Sequence, residues 1–326
     1  MAVRIGLVLG AGGVVGAAYH AGVLSALADH VGWDARTAEV IVGTSAGSGT
    51  GAMLRAGVPA ADLAAEVLGT RVSREGARVL ARGRAAAAAS WERTPLQPAR
   101  ARLALRPQVT APGILVRAAT RPWEARLGLL VTALLPPGTI PTDVISAGMA
   151  PHFRMGWPER ALWIVAVRLS SGERVVFGRE GAPEAAVADA VAASCAIPGF
   201  FEPVAVDGGR YVDGGAHSPT NADLAADLGL DLVVVSSPMS RAGSMATGTV
   251  SPVRRWARLE LDREARRLTR SGTPVLAFQP TRADVGVMGV NAMDMGRRGA
   301  VARSAQESAR RWLDDPRNAS LVALLR

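Results

Sequence analysis

The sequence predicts an α/β fold of three layers, α/β/α, built around a central, mostly parallel sheet. Two observations carry that expectation. Short, mostly apolar runs within residues 3–9, 39–42 and 232–236 have the length and branched-residue content of buried strands. Segments with helical spacing of apolar residues separate them, and this alternation favours a parallel sheet covered by helices. The 326 residues, 49% hydrophobic, suffice for one large core, and residues 1–326 read as a single domain. Aromatic residues make up only 4%, so small aliphatic side chains must fill most of that core.

In chain order, Val3–Leu9 is the expected first strand, followed by a glycine-rich turn at Gly10–Gly16 and a helix over Ala17–Asp29. A second strand, Glu39–Val42, runs into Gly43-Thr44-Ser45-Ala46-Gly47 and a helix to about Ala56. From Arg71 to Pro141 the character changes. Arginines crowd at 71, 74, 78, 82, 84, 93, 100, 102 and 106, and prolines at 95, 98, 107, 112, 122, 136 and 137 interrupt any long helix. This reads as a helical insertion at about 71–160, not a second domain. Leu162–Leu169 and Arg174–Phe177 flank Ser170-Ser171-Gly172-Glu173 as a hairpin. A helix over Pro183–Ser194 follows, then a second hairpin of Val204–Val206 and Arg210–Val212 about Asp207-Gly208-Gly209. The rest reads as a helix Asn221–Gly229 closed by glycine, a strand Leu232–Ser236, a charged helix Pro252–Ser271, a strand Pro274–Phe278 and a helix Arg303–Leu313.

Composition narrows the function classes. The one cysteine, Cys195, allows neither an intrachain disulfide nor a thiolate zinc cluster, and its small apolar neighbours suit a buried structural thiol. No apolar run is long enough to span a bilayer, and the segment after Arg4 lacks the pattern of an export signal. A cytoplasmic, soluble or membrane-peripheral protein is expected. The formal charge is +9, with arginine as the only basic residue besides histidine. Nucleotide bias and attraction to anionic lipid or nucleic acid explain this equally well. No zinc-finger or RNA-recognition signature accompanies the charge, so nucleic acid is the weaker partner. The arginine-rich insertion with Trp91 and Trp123 suits peripheral contact with an anionic membrane, but an ordinary solvated helical face is the plainer reading. No sequence feature specifies an oligomeric state.

Gly43-x-Ser45-x-Gly47 follows a strand and opens a helix. A serine on such a turn needs a strained backbone, and small residues two positions away let strand and helix approach. The serine then stands at a helix N-terminus, which favours developing negative charge. A serine-rich turn with chance glycines is the plainer reading of the pentapeptide taken alone. The loop Gly10–Gly16 offers backbone N–H groups of the kind that hold an oxyanion. A dinucleotide-binding loop would want an acidic residue at the end of the second strand, where Val42 and Gly43 stand, and a phosphate-binding P-loop would want a lysine. Of the four histidines, His20 and His30 read as packing or surface residues. His152 has no evident partner, and His217 sits in a loop four residues after Asp213. Between two Asp-Gly-Gly triplets, Asp207 lies in hairpin context and Asp213 follows a strand.

Four blocks in this order resemble the patatin-like phospholipase family between Val3 and about Met239. They are Gly12-Gly13-x-x-Gly16 leading into Ala18–Leu24, Gly43-Thr44-Ser45-Ala46-Gly47, Ala193–Pro203, and Tyr211-Val212-Asp213-Gly214-Gly215. The resemblance implies a Ser45–Asp213 dyad, an oxyanion hole from the amides of Gly12, Gly13 and Val14, and framework roles for Gly16, Gly43, Gly47, Gly214 and Gly215. It implies hydrolysis of fatty acyl esters of phospholipids or related lipids, with no metal and no cofactor. One departure stands out: the family usually carries Arg or Lys before the last loop glycine, and this chain has Val15. Val15 favours a second expectation, a lipid-binding or regulatory protein without catalysis.

Overall fold

A computed structural model describes residues 3–93, 109–243 and 251–326. The first half contains β1 (Ile5–Leu9), α1 (Gly13–Val31), β2 (Val40–Thr44), α2 (Ala46–Arg55), α3 (Ala60–Leu68), α4 (Arg74–Arg93), α5 (Pro112–Thr120), α6 (Leu127–Leu134) and α7 (Asp143–Met149). Then come β3 (Ala161–Arg168), β4 (Arg174–Phe177), α8 (Val187–Ser194), β5 (Val204–Val206), β6 (Gly209–Asp213) and β7 (Leu232–Ser236). The chain closes with α9 (Pro252–Arg270), β8 (Val275–Phe278), α10 (Arg282–Met288), α11 (Arg298–Leu313) and α12 (Ala319–Ala323).

Among the described residues, the eight strands form one sheet in the order β5-β6-β3-β2-β1-β7-β8, with β4 also on β3. Pairings among β3, β2, β1, β7 and β8 are parallel, while β4, β5 and β6 pair antiparallel. Strand periodicity sorts the core into two faces. Leu7 and Leu9, Ile41, Ile164 and Val234 pack with α1, α8 and α11 on one side. Val8, Val42, Val165 and Val235 pack with Leu261 and Leu268 of α9 on the other. Ile114 of α5 and Leu129 and Ala133 of α6 extend this second face over Val167 and Val212. The three-layer α/β/α arrangement with a mostly parallel sheet is the one the sequence predicts.

The pairing registers place the two candidate catalytic residues. Ile164 and Val165 pair with both β2 and β4, so these strands occupy opposite edges of β3. Ala166 and Val167 pair with both β4 and β6, so β6 also lies opposite β4. Strands β2 and β6 therefore share one edge of β3, end to end. Thr44, the last residue of β2, faces Val165, and Asp213, the last of β6, faces Ala166. Ser45 leaves the sheet where Asp213 arrives.

Some elements differ from expectation. Asn221–Gly229 is no helix: only a 3-10 turn at Ala222–Ala225 forms. Asn221, Asp227 and Gly229 all adopt positive φ, and the Asn221 side chain donates to the Ser218 carbonyl and the Thr44 hydroxyl. Helix α8 starts at Val187, because Ala186 is extended and the Glu184 N–H is directed to the Asp207 carboxylate at 3.3 Å. Helix α1 starts four residues early, with Gly16 N–H bonding Gly12 C=O at 2.9 Å. The described part of the insertion carries the helices α4 to α7. Its expected features at Pro95, Pro98, Arg100, Arg102, Arg106 and Pro107, and the Trp91 side chain, lie outside the described residues.

The segment after Asp213 is fastened from α9. The buried Glu264 carboxylate accepts hydrogen bonds from the Ser218 hydroxyl (2.5 Å), the Thr220 hydroxyl (2.5 Å) and the Ala222 N–H (2.8 Å). Burial, reinforced by Asp223, pushes its pKa up to about 7. Replacing Glu264 by Ala leaves three buried donors without an acceptor. The expected loss is about 3 kcal/mol of folding stability, read from denaturant unfolding.

Candidate active site

Ser45 sits between β2 and α2 with φ 54° and ψ −123°, a backbone conformation costly for any residue with a Cβ. Its neighbours make the turn possible. A Cβ on Gly43 would lie 2.5 Å from the Ser48 Cα, and one on Gly47 would run into the Leu9 carbonyl. The turn is then held by hydroxyls. The Ser45 N–H donates to the Ser194 Oγ (2.9 Å), and that hydroxyl donates to the Val165 carbonyl (2.7 Å). The Ser48 hydroxyl donates to the Ser45 carbonyl at 2.6 Å.

Asp213 is buried at the end of β6, its N–H bonded to the Ala196 carbonyl at 2.9 Å. Its Oδ1 accepts from the Gly215 N–H at 2.7 Å. Desolvation raises its pKa to about 6, against the opposing hydrogen bonds from the Ser45 hydroxyl and the Gly215 amide. Gly214 fits because a Cβ there would strike the Val165 carbonyl. The Cys195 thiol, half-buried beside Ser48, is pushed up to about 12 by burial and by the Asp213 charge, and stays protonated.

The glycine loop links β1 to α1 on the same side of the sheet. Gly10 N–H bonds the Ser236 carbonyl (3.0 Å) and Ala11 N–H the Pro219 carbonyl (2.7 Å). Gly12 packs where a Cβ would lie 2.7 Å from the Gly16 Cα, and Gly13 adopts φ +61° against Ala292. The amides of Gly12, Gly13 and Val14 precede the first intrahelical bond of α1, at the positive end of a 19-residue helix. The next amide, Val15, is already taken by the Ala292 carbonyl at 3.1 Å. The Val15 side chain is buried and, with Gly12, lines a cavity of about 520 Å³. Met288, Val285 and Val290 line it too, as does Arg254, which holds the Pro238 and Ser240 carbonyls.

Among the described residues, none of the histidine hydrogen bonds reaches Ser45. His20 is fully buried and hydrogen-bonded through both ring nitrogens, to Gly10 O and Ser236 Oγ at 2.8 Å each. Burial lowers its pKa to about 4, so it is a neutral brace between the ends of β1 and β7. His30 pairs with Asp314 at the surface. Among the described residues, neither ring nitrogen of His217 has a hydrogen-bond partner. Burial first, then Arg126 and Arg174, push its pKa down to about 3. His217 borders a separate cavity of about 740 Å³ against α6 and α9. Asp207 has φ 42° and Gly208 φ 67° at the tip of the β5–β6 hairpin, as a two-residue Asp-Gly turn requires.

The structure thus gathers Ser45, Asp213 and their flanking glycines at one junction of the sheet. Sequence reasoning assigned no role to Ser194 and read His20 only as a packing or surface residue. The signal for Ser194 was a polar residue in an otherwise small apolar helix end.

A profile of the patatin-like phospholipase family matches residues 7–226. The chain belongs to the patatin-like phospholipase family. Its members are lipid hydrolases, and membership implies lipid acyl hydrolase activity. Among solved structures, VipD from Legionella pneumophila is 14% identical with a TM-score of 0.40, over 96% of this chain and 67% of that one. The type III effector protein ExoU is 13% identical with a TM-score of 0.36, over 95% of this chain. This chain spans about half of ExoU, 52% of its length. No helix among the described residues is long and apolar enough to cross a membrane.

Replacing Ser194 by Ala strands the buried Ser45 N–H and the Val165 carbonyl together. A loss of about 2 kcal/mol in stability is expected from chemical denaturation.

Proposed function

We propose that this protein is a serine lipid acyl hydrolase, a phospholipase A, lysophospholipase or esterase, working through a Ser45–Asp213 dyad without metal or cofactor. The observation that carries this reading is a serine held at positive φ, with its hydroxyl on a buried carboxylate whose pKa is raised to about 6. An ordinary aspartate is too weak a base for a hydroxyl. Desolvation brings Asp213 closer to neutrality while leaving it ionised at pH 7, which suits proton transfer over a direct contact.

In the proposed reaction the Ser45 Oγ attacks the ester carbonyl carbon and its proton passes to the Asp213 carboxylate. The tetrahedral oxyanion accepts hydrogen bonds from the amides of Gly12, Gly13 and Val14. Collapse breaks the ester C–O bond, and the departing alcohol takes the proton from Asp213. Water then attacks the acyl-enzyme and gives a proton to Asp213. Release of the fatty acid returns that proton to Ser45. The apolar cavity beside Gly12 is the expected seat of an acyl chain, with Met288 and Val290 in its wall.

Two measurements test this. Ser45→Ala and Asp213→Asn should each lower p-nitrophenyl ester hydrolysis by about 10³-fold or more, with the fold intact. Turnover of Asp213→Asn near that of wild type would point to His217. In wild type, kcat/KM should rise with pH and level off above about 6, because the base must be ionised. An acid limb at the ordinary aspartate value would contradict the assignment. An intact protein that neither hydrolyses esters nor reacts with a fluorophosphonate probe at Ser45 would favour the lipid-binding alternative.

A further inference from the structure

We propose that the outer face of α5, α6 and the turn between them is the surface on which this protein docks to an anionic membrane. The inference deepens the lipid-hydrolase reading and rests on it for its purpose.

Exposed apolar side chains concentrate on this face. Thirteen large hydrophobic residues of the described chain are exposed, and six of them fall between residues 109 and 134: Val109, Val116, Trp123, Leu127, Val131 and Leu134. A random scatter over the surface would not place nearly half in so short a stretch. Trp123 is 79% exposed and Leu127 61%. In α6 the pattern is regular. Leu127, Val131 and Leu134 stand at i, i+4 and i+7, one stripe of a helix, while Leu129, Thr132 and Ala133 are buried on the opposite side. The helix is therefore apolar towards the core and again towards solvent. An aqueous surface gives no reason for the second stripe, whereas a bilayer interface does.

Charge selects the occupant. Residues 109–135 carry Arg117, Arg121 and Arg126 against one carboxylate, Glu124. Arg117 and Arg121 both lean on Glu124, at 2.8 and 3.6 Å, and Arg126 pairs with Glu260 of α9 at 3.0 Å. A tryptophan and aliphatic side chains bordered by arginines match the headgroup region of an anionic leaflet.

The α6 backbone rests directly on the residues after Asp213, since a Cβ on Gly128 would strike the Ala216 carbonyl. At the other end, Leu135 packs over Gly199. Docking by this face would set a lipid surface one helix away from the segment that follows Asp213.

The test is co-sedimentation with vesicles of pure phosphatidylcholine and of equal parts phosphatidylcholine and phosphatidylglycerol. It compares wild type, Ser45→Ala, the double variant Trp123→Ala with Leu127→Ser, and Arg121→Glu. Wild type and Ser45→Ala should bind the mixed vesicles alike, preferentially over the neutral ones, and less as salt rises. The double variant should bind about tenfold more weakly or worse, and Arg121→Glu should lose part of the anionic preference. Both surface variants should keep the wild-type melting temperature and rate on a water-soluble ester. The proposal is overturned if the double variant binds as wild type does or if anionic lipid gives no preference. It is also overturned if wild type sediments as a dimer that the double variant dissolves, since the face would then belong to a second copy. Wild type that hydrolyses no ester, yet pellets with Ser45→Ala as described, would defeat the hydrolase reading and leave the docking face standing.

Discussion

Strand β3 has two edges, and one is divided between β2, arriving parallel, and β6, arriving antiparallel. Their C-terminal ends meet at Val165 and Ala166, and that meeting organises everything near Ser45. The Val165 carbonyl receives the Ser194 hydroxyl and excludes any side chain at position 214. The serine hydroxyl and the aspartate carboxyl meet because two strands run out of room on the same neighbour. The glycine loop joins from the next parallel strand, fixed by His20 and by the Pro219 carbonyl.

The junction is also buried, and one cause accounts for its titration behaviour. Desolvation is the leading influence on Asp213, Glu264, Cys195, His20 and His217. Acids rise and imidazoles fall, each towards its neutral form. Asp213 and Glu264 have folded-state pKa values of about 6 and about 7, above those of free carboxyls, so their protonated forms favour folding. That contribution fades as pH rises through these values. Chemistry that needs an ionised Asp213 works against this part of the fold's stability.

Much of the architecture was legible because the strands write themselves as short aliphatic runs. The turns at Asp207-Gly208 and Gly43–Gly47 have the residues their backbones demand. What failed to show was context. Asn221–Gly229 looks helical by composition, yet Asn221 spends its amide on Ser218 and Thr44, a long-range demand that propensity does not contain. Helix α10 carried a local signal that went unread, the Thr281–Asp284 capping box. Motif and chain order singled out Ser45 and Asp213, and the strand registers place them at one junction of the sheet. The contact made by Ser194 could not be read in the same way, because 149 residues separate its hydroxyl from the Ser45 amide.

The turn at Ser45 has a further implication. With φ at 54°, this position is one where glycine would be the easier occupant. The polypeptide would hold its shape more firmly with nothing but a hydrogen there. By carrying a hydroxymethyl group instead, the chain sacrifices some robustness at the centre of its sheet to keep an oxygen pointed at a carboxylate. A variant selected only for endurance to heat would tend to drift towards glycine at this position, gaining resilience and losing whatever that oxygen does.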